Sequence, residues 1–132
     1  MHRELFWLTL TVIMTGLMWI PYIVDRMAVR GVTGTLANPS AGDVPQSGWA
    51  QRLMAAHMNA MENLIIFAPL VVITQLLSIS TRVTGFACAL YFWSRLAHVI
   101  VYTIGSPVVR TLAFFGGFIA QVILVLAIFK LV

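Results

Sequence analysis

The sequence contains very few charged residues. Of its 132 residues, 8 are lysine or arginine and 4 are aspartate or glutamate, so only 9% of the chain is charged. Hydrophobic residues make up 61%, whereas a soluble domain has about 45–50% apolar and about 25% charged residues. This composition excludes an ordinary soluble fold. The basic residues also form no cluster, which argues against a nucleic-acid partner.

Potential metal ligands and nucleophiles are scarce as well. Cys88 is the single cysteine, so it cannot form an intramolecular disulfide bond, and we interpret it as a small apolar residue. His57 and His98 lie in different apolar segments, and neither has a second histidine or a cysteine nearby at the spacing of a metal site. The pattern of a serine nucleophile with a histidine and an acid is also missing. The sequence therefore predicts neither a metal centre nor a hydrolase.

Four apolar segments are each long enough to cross a bilayer, which takes about 20 residues. They cover approximately residues 5–24, 54–77, 83–104 and 112–131. Residues 25–53 contain turn signals such as Asn38-Pro39 and are predicted to form a loop, while Pro21 predicts a local kink in the first segment. The other two connections are short, so neighbouring helices must be antiparallel. The sequence predicts an all-α membrane protein, a single up-down bundle of four transmembrane helices over residues 1–132.

The distribution of basic residues predicts the orientation of this bundle. Four arginines lie on the side of the long loop, and three basic residues lie on the opposite side: Arg26, Arg30, Arg52 and Arg110 against Arg3, Arg82 and Lys130. Cytoplasmic loops of membrane proteins carry an excess of lysine and arginine. We therefore expect a multi-pass integral membrane protein with its long first loop in the cytoplasm.

Polar residues inside the second apolar segment follow the helical period. An ionisable residue at the centre of a membrane helix costs about 2.5–3.5 kcal/mol on insertion scales, so it usually faces the protein interior. Arg52, Asn59, Glu62 and Asn63 recur at spacings that place them along one stripe of a helix. His57 lies off this stripe. The stripe predicts a polar face that is turned toward another helix.

A second polar face is predicted on the third segment. Arg95, His98 and Tyr102 lie on one side of this helix, and Arg110 begins the fourth segment. A buried Glu62 needs a cationic partner, and Arg95 is the best placed candidate for an ion pair. Two interpretations remain open. The polar residues either hold the helices together, or they enclose a cavity for an anionic or zwitterionic ligand with several carboxylates.

Three stretches carry a resemblance to a known family. They are Arg52-Leu-Met-Ala-Ala-His57-Met-Asn59-Ala-Met-Glu62-Asn63-Leu-Ile-Ile-Phe67, then Arg95-Leu-Ala-His98-Val-Ile-Val-Tyr102 with Pro107 and Arg110-Thr-Leu-Ala-Phe-Phe after it, and Arg30 eight residues before Asn38-Pro39. In order and spacing, these stretches resemble the MAPEG superfamily, the membrane-associated proteins in eicosanoid and glutathione metabolism. The sequence is most similar to the branch of microsomal glutathione transferases and prostaglandin E synthases.

The resemblance implies a homotrimer that binds glutathione between helices of adjacent subunits, in a site that opens toward the cytoplasmic side. It also implies which residues hold the glutathione: Arg30, Arg52, His57, Asn59, Glu62, Asn63, Arg95, His98 and Tyr102. Arg110 takes the catalytic role and holds the glutathione thiol as a thiolate. A free thiol has a pKa of about 8.5, and a nearby arginine favours the nucleophilic anion.

Two functions follow from this resemblance. The first is a glutathione-dependent transferase or peroxidase, in which the thiolate attacks a lipophilic electrophile or hydroperoxide that arrives from the membrane lipid. The second is a non-catalytic bundle that binds a lipid or serves as a subunit of a larger membrane complex, as one branch of the superfamily does. Ala55 and Met58 stand where mammalian members carry arginines that help bind glutathione carboxylates. Because the loss of one charge-assisted contact costs about 1.5–3 kcal/mol, we expect weaker binding of glutathione.

Overall fold

The computed structural model describes all residues 1–132 and is entirely helical. It contains five helices: α1 (Arg3–Leu17), α2 (Trp19–Leu36), α3 (Gly48–Leu76), α4 (Arg82–Ile104) and α5 (Pro107–Ile128). α1 and α2 together form the first of four segments that are long and apolar enough to cross a membrane, and α3, α4 and α5 form the other three. The predicted all-α bundle with four membrane-spanning segments is confirmed.

The break between α1 and α2 is explained by Pro21. A proline has no backbone N–H, and its ring clashes with the carbonyl group four residues earlier. That carbonyl group belongs to Leu17, the last residue of α1. The N–H of Met18 accordingly bonds to the carbonyl oxygen of Thr15 at 3.3 Å, which is a tighter turn than an α-helix makes. The predicted kink is therefore found one turn before the proline.

The predicted loop over residues 25–53 is wrong at both ends. α2 continues to Leu36, with a non-helical conformation only at Gly31 (φ 71°, ψ 173°), and α3 already begins at Gly48. The true connection is residues 37–47. An apolar run marks the thickness of the bilayer, whereas a helix can extend beyond the lipid wherever its polar side chains are hydrated or hydrogen-bonded. The other bounds differ less, and α5 covers Pro107–Ile128 where 112–131 was predicted.

Local capping residues determine where α4 begins and ends and where α5 begins. α4 begins after Thr81, whose side chain accepts a hydrogen bond from the backbone N–H of Thr84 in a capping box. It ends at Ile104, and the next residue, Gly105, has φ 87°, the left-handed conformation that favours glycine. α5 then starts at Pro107, because proline is well accommodated in the first turn of a helix. The resulting tight turn places the end of α4 beside the start of α5.

The core lies around α4, which packs against α1, α3 and α5. The rings of Phe67 and Tyr91 stack at a centroid distance of 3.6 Å with an interplanar angle of 5°. Cys88 is fully buried in the same cluster, so it is a small apolar residue of the core and does not face lipid. Gly116 lies so close to Ser94 that a Cβ atom at this position would clash with the serine Oγ. The absence of a side chain on this glycine thus allows α5 to approach α4.

One end of the bundle is fastened by a buried acid. Glu4 near the start of α1 is fully buried. It accepts a hydrogen bond from Thr84 Oγ1, and Ser80 Oγ lies 3.1 Å from each of its carboxylate oxygens. These contacts join α1 to the first turn of α4 through Thr84 and to the connection before α4 through Ser80.

Candidate functional site

A polar cavity of about 280 Å³ lies between α3, α4 and α5. It is lined by Asn59, His98, Tyr102, Arg110, Thr111 and Phe114. The helical period explains the arrangement, because His98 and Tyr102 are four residues apart on α4, as are Arg110 and Phe114 on α5. Four of the ten residues predicted from the sequence therefore meet in one cavity.

Arg110 is held at the cavity by an aromatic ring. The guanidinium carbon of Arg110 lies 4.5 Å from the centroid of the Tyr102 ring, a distance at which the ring face attracts a cation. The side chain of Arg110 makes no hydrogen bond within the chain, and the one ion pair in the structure is that of Arg30 with Asp43. The N–H groups of Arg110 are therefore free to bind a ligand.

Arg95 lies behind the cavity and does not line it. Its side chain is buried, with 1% exposed. Its Nη2 donates a hydrogen bond to Asn59 Oδ1 at 2.6 Å and lies 3.4 Å from His98 Nδ1. Arg95 thus contacts two residues of the cavity wall from the protein side.

The predicted ion pair between Glu62 and Arg95 is wrong for the single chain. Glu62 is exposed and makes no ion pair. Asn63 faces the bundle instead, where its Nδ2 donates to the Asn59 carbonyl oxygen at 2.9 Å. Successive residues of a helix are rotated by about 100°. Since Asn63 faces inward, Glu62 is turned away from α4.

An apolar groove of about 360 Å³ adjoins the polar cavity. It runs between α3 and α5 and is lined by Asn63, Ile66, Leu70, Phe114, Phe118, Gln121, Val122, Val125 and Leu126. Phe114 lines both the groove and the cavity. The two polar residues that line the groove, Asn63 and Gln121, are hydrogen-bonded to each other, since Gln121 Nε2 donates to the Asn63 carbonyl oxygen at 3.3 Å. An apolar molecule in this groove would therefore lie next to the cavity that contains Arg110.

Arg52 and His57 are not part of the cavity wall. Arg52 Nε donates to the carbonyl oxygen of Thr103 at 2.8 Å, which satisfies one of the free carbonyl groups at the end of α4. His57 Nδ1 lies 3.0 Å from the hydroxyl of Tyr22 on α2. In the single chain, both side chains therefore connect helices.

Arg30 lies in a second polar cavity, of about 420 Å³, next to the 37–47 connection. The lining residues are Arg26, Arg30, Pro39, Ser40, Asp43, Pro45, Gln46, Gln51 and Met54, and none of them lines the cavity of Arg110. Arg30 Nη1 pairs with Asp43 at 3.3 Å, and its Nε donates to the Val44 carbonyl oxygen at 2.7 Å. Hydrogen bonds from Ser40 and the nearby charges of Arg30 and Arg26 lower the pKa of Asp43 below its usual range.

Several residues that line these cavities or bond to their walls were not predicted from the sequence. Phe114 lies one helical turn after Arg110, so the period alone could have indicated that it shares the face of Arg110. Thr111 directly follows Arg110, but nothing in its type or spacing distinguishes it. Tyr22 and Asp43 bond to residues on other parts of the fold, which the sequence pattern does not reveal.

The comparisons with known proteins agree with the four membrane-spanning helices. No curated protein and no solved structure matches the chain. The model of the MAPEG family matches residues 5–130, which is nearly the whole chain. This family consists of membrane helical bundles, so the chain is a multi-pass integral membrane protein. The match in sequence and the agreement in fold establish that the chain belongs to the MAPEG family.

Proposed function

We propose that the protein is a membrane-bound, glutathione-dependent transferase or peroxidase, nearest to the microsomal glutathione transferases and prostaglandin E synthases. The observation that carries this proposal is the guanidinium of Arg110, which has no ion-pair partner and lines a polar cavity that shares Phe114 with the apolar groove. The MAPEG family includes glutathione transferases and related enzymes, as well as non-catalytic members, and its members typically use glutathione.

Arg110 would supply the charge that makes the glutathione thiol reactive. A thiol with a pKa of about 8.5 is mostly protonated at neutral pH, and a neighbouring cation stabilises the thiolate. Each unit by which the pKa of the thiol falls corresponds to about 1.36 kcal/mol of preference for the anion. The thiol proton passes to water, and the sulfur is left as the nucleophile beside Arg110.

The second substrate would reach this thiolate through the apolar groove. With an electrophile, the sulfur forms a bond to carbon, and the leaving group departs with the electron pair of the bond that breaks. With a lipid hydroperoxide, the sulfur attacks the terminal oxygen and the O–O bond breaks. The sulfur becomes a sulfenic acid, and the lipid leaves as an alkoxide that takes up a proton to form an alcohol. A second glutathione then reduces the resulting sulfenic acid, which gives glutathione disulfide and water.

The rest of the glutathione molecule requires residues that a single chain does not bring to this cavity. We propose that a homotrimer supplies them, with the Arg30 cavity of one subunit turned toward the Arg110 cavity of the next. Exposed Glu62 would then face an adjacent subunit. Arg52, His57 and Asn63 stay in the proposed binding set, as contacts beside the cavity. Arg95 would act through Asn59 and His98.

The thiolate absorbance band in the ultraviolet tests the proposal directly. Purified protein in detergent is titrated with glutathione, and the wild type is compared with Arg110→Ala. Arg82→Ala is a matched control, because Arg82 also begins a helix, is exposed, and makes no side-chain hydrogen bond. We expect the band in the wild type and in Arg82→Ala and its loss in Arg110→Ala.

A wild-type protein without the band at millimolar glutathione would contradict the catalytic proposal. In that case, the second candidate, a non-catalytic bundle, would gain support from the apolar groove between α3 and α5. Extraction and mass spectrometry of lipids that co-purify with the protein would then identify its ligand. Native mass spectrometry of the same sample tests the homotrimer.

A further inference from the structure

We propose that Arg95 is a positioning residue that fixes Asn59 and His98 as hydrogen-bond donors toward the cavity. The cavity would then bind a group that only accepts hydrogen bonds, such as a carboxylate or a thiolate. This inference rests on the proposed function and specifies which part of the ligand the cavity takes.

Arg95 fixes the orientation of the Asn59 amide. Its Oδ1 accepts hydrogen bonds from Arg95 Nη2 at 2.6 Å and from Asn63 Nδ2 at 3.4 Å. A carboxamide offers one oxygen acceptor and one NH₂ group with two donors. Asn59 lines the cavity, and its Nδ2 bonds to no group in the chain. The NH₂ group is thus the part of Asn59 that is offered to a ligand.

Arg95 also fixes the tautomer of His98. Its Nδ1 lies 3.4 Å from Nη2 of Arg95, and a guanidinium has only donors and does not lose its proton in proteins. Nδ1 must therefore be the nitrogen without hydrogen, because two N–H groups would repel each other at this distance. The ring hydrogen then resides on Nε2. His98 consequently presents an N–H donor to the cavity.

The burial of Arg95 makes it suitable for this role. A Cβ atom on Gly117 would lie 3.3 Å from Arg95 Cδ, so α5 closes tightly over the side chain. Arg95 Nε and Nη1 are buried without any hydrogen-bond partner, and no carboxylate pairs with the guanidinium. A buried charge without a counterion is unfavourable. An anion in the adjoining cavity would partly offset this cost, so Arg95 also favours an anionic ligand.

The cavity therefore offers Asn59 Nδ2, His98 Nε2 and the Arg110 guanidinium, all of which are donors. The hydroxyls of Tyr102 and Thr111 also line the cavity, and the Thr111 hydroxyl already donates to the Pro107 carbonyl oxygen at 3.0 Å. For glutathione, this arrangement favours the thiolate or a carboxylate, and the positive charge of Arg110 disfavours the ammonium group. We therefore expect the ammonium group to bind outside this cavity.

Nitrogen-15 NMR of the histidine rings tests the first part of the proposal without any ligand. We expect His98 in the wild type to be the neutral Nε2–H tautomer, with its signals assigned through His98→Gln. In Arg95→Met, we expect a mixture of both tautomers. An Nδ1–H tautomer or an imidazolium in the wild type overturns the proposal. This result is obtained from the wild type alone, so it does not depend on whether the Arg95 variant folds.

Matched substitutions test the selection of an acceptor group. Asn59→Asp replaces the Nδ2 donor with an oxygen of nearly the same position, and we expect glutathione affinity to fall by at least about tenfold. His98→Gln keeps an N–H near the position of the histidine Nε2. His98→Asn has a shorter side chain, whose amide reaches only the position of Nδ1. We expect His98→Gln to bind more tightly than His98→Asn. Unchanged affinity in Asn59→Asp, or the reverse order of the histidine variants, overturns the proposal.

The two measurements separate this inference from the proposed function. A wild-type protein that shows the Nε2–H tautomer but does not bind glutathione contradicts the proposed function and supports the role of Arg95. A wild-type protein that binds glutathione with His98 in the other tautomer supports the function and overturns the role of Arg95.

Discussion

The guanidinium carbon of Arg110 lies 4.5 Å from the centroid of the Tyr102 ring, across the turn between α4 and α5. The positive φ of Gly105 reverses the chain at this turn, so two residues eight positions apart come face to face. The ring limits the positions that the guanidinium can take. The proposed catalytic charge is therefore placed by an aromatic contact, without a carboxylate that would neutralise it.

This contact predicts that the ring of Tyr102 matters more than its hydroxyl for holding Arg110. Tyr102→Leu removes the cation–π attraction, which is worth about 0.5–2 kcal/mol depending on solvent access. We expect the thiolate signal of Tyr102→Leu to half-saturate at a glutathione concentration about two- to thirtyfold higher than in the wild type. Tyr102→Phe keeps the ring and serves as the control. An equal loss in Tyr102→Phe would assign the effect to the hydroxyl instead.

The close approach of α4 and α5 predicts that a side chain at Gly116 is destabilising. A Cβ atom there would clash with Ser94 Oγ and lie 3.2 Å from Ser94 Cβ. We expect Gly116→Ala to destabilise the protein by about 1–3 kcal/mol, which is typical of overpacking. Thermal unfolding in detergent measures this change.

Gly16 provides the matched control, because nothing lies within 4 Å of a Cβ atom at that helical position. We expect Gly16→Ala to be neutral or slightly stabilising, since alanine restricts the unfolded chain more than glycine does. Ser94→Gly combined with Gly116→Ala should recover most of the lost stability. A failure of this double variant to recover would show that the clash is not with Ser94.

The two glutamates of the membrane-spanning helices should differ sharply in their effect on stability. Glu4 is buried and accepts hydrogen bonds from Thr84 and Ser80, and bonds to a charged group are worth about 1.5–3 kcal/mol. We expect Glu4→Gln to lower the unfolding temperature measurably. Glu62 is exposed and makes no hydrogen bond in the chain, so Glu62→Gln should leave the unfolding temperature of the monomer unchanged. The opposite ranking would contradict the burial of Glu4.

The connection between α2 and α3 should loosen in acid. Because the pKa of Asp43 is lowered in the folded chain, its contacts with Ser40 and Arg30 stabilise the fold above its ordinary pKa of about 3.9. This contribution is lost as the pH falls through the lower, folded-state pKa. Carbon-13 NMR of the Asp43 carboxyl follows the titration.

Variants of its partners test the causes of this shift. Arg30→Gln removes a nearby positive charge, and Ser40→Ala removes a hydroxyl donor, so both should raise the pKa of Asp43. Arg82→Ala, far from this connection, should not. A wild-type carboxyl that titrates at or above its ordinary value would contradict the contacts of Asp43.

The sequence could predict the part of the site that depends on periodicity within single helices. His98 and Tyr102 were expected on one face of α4, and both line the cavity. Glu62 was placed on the same stripe as Asn59, but Glu62 and Asn63 lie at opposite edges of that stripe, about 100° apart around the helix. Which edge of the stripe faces α4 depends on the packing of the helices. The sequence pattern contains no information on that rotation.

The sequence by itself determined that this chain spans a membrane four times, because apolar length and the scarcity of charge are properties of each segment alone. It also determined the residue types of the site. The tertiary structure decided which of those residues meet: Arg110 with Tyr102 at the cavity, Arg95 behind it, and Arg30 in a separate cavity. These relationships depend on helix rotation, on the turn at Gly105 and on the extension of α2 beyond the apolar run. Such features arise from contacts between segments, which the pattern within each segment does not specify.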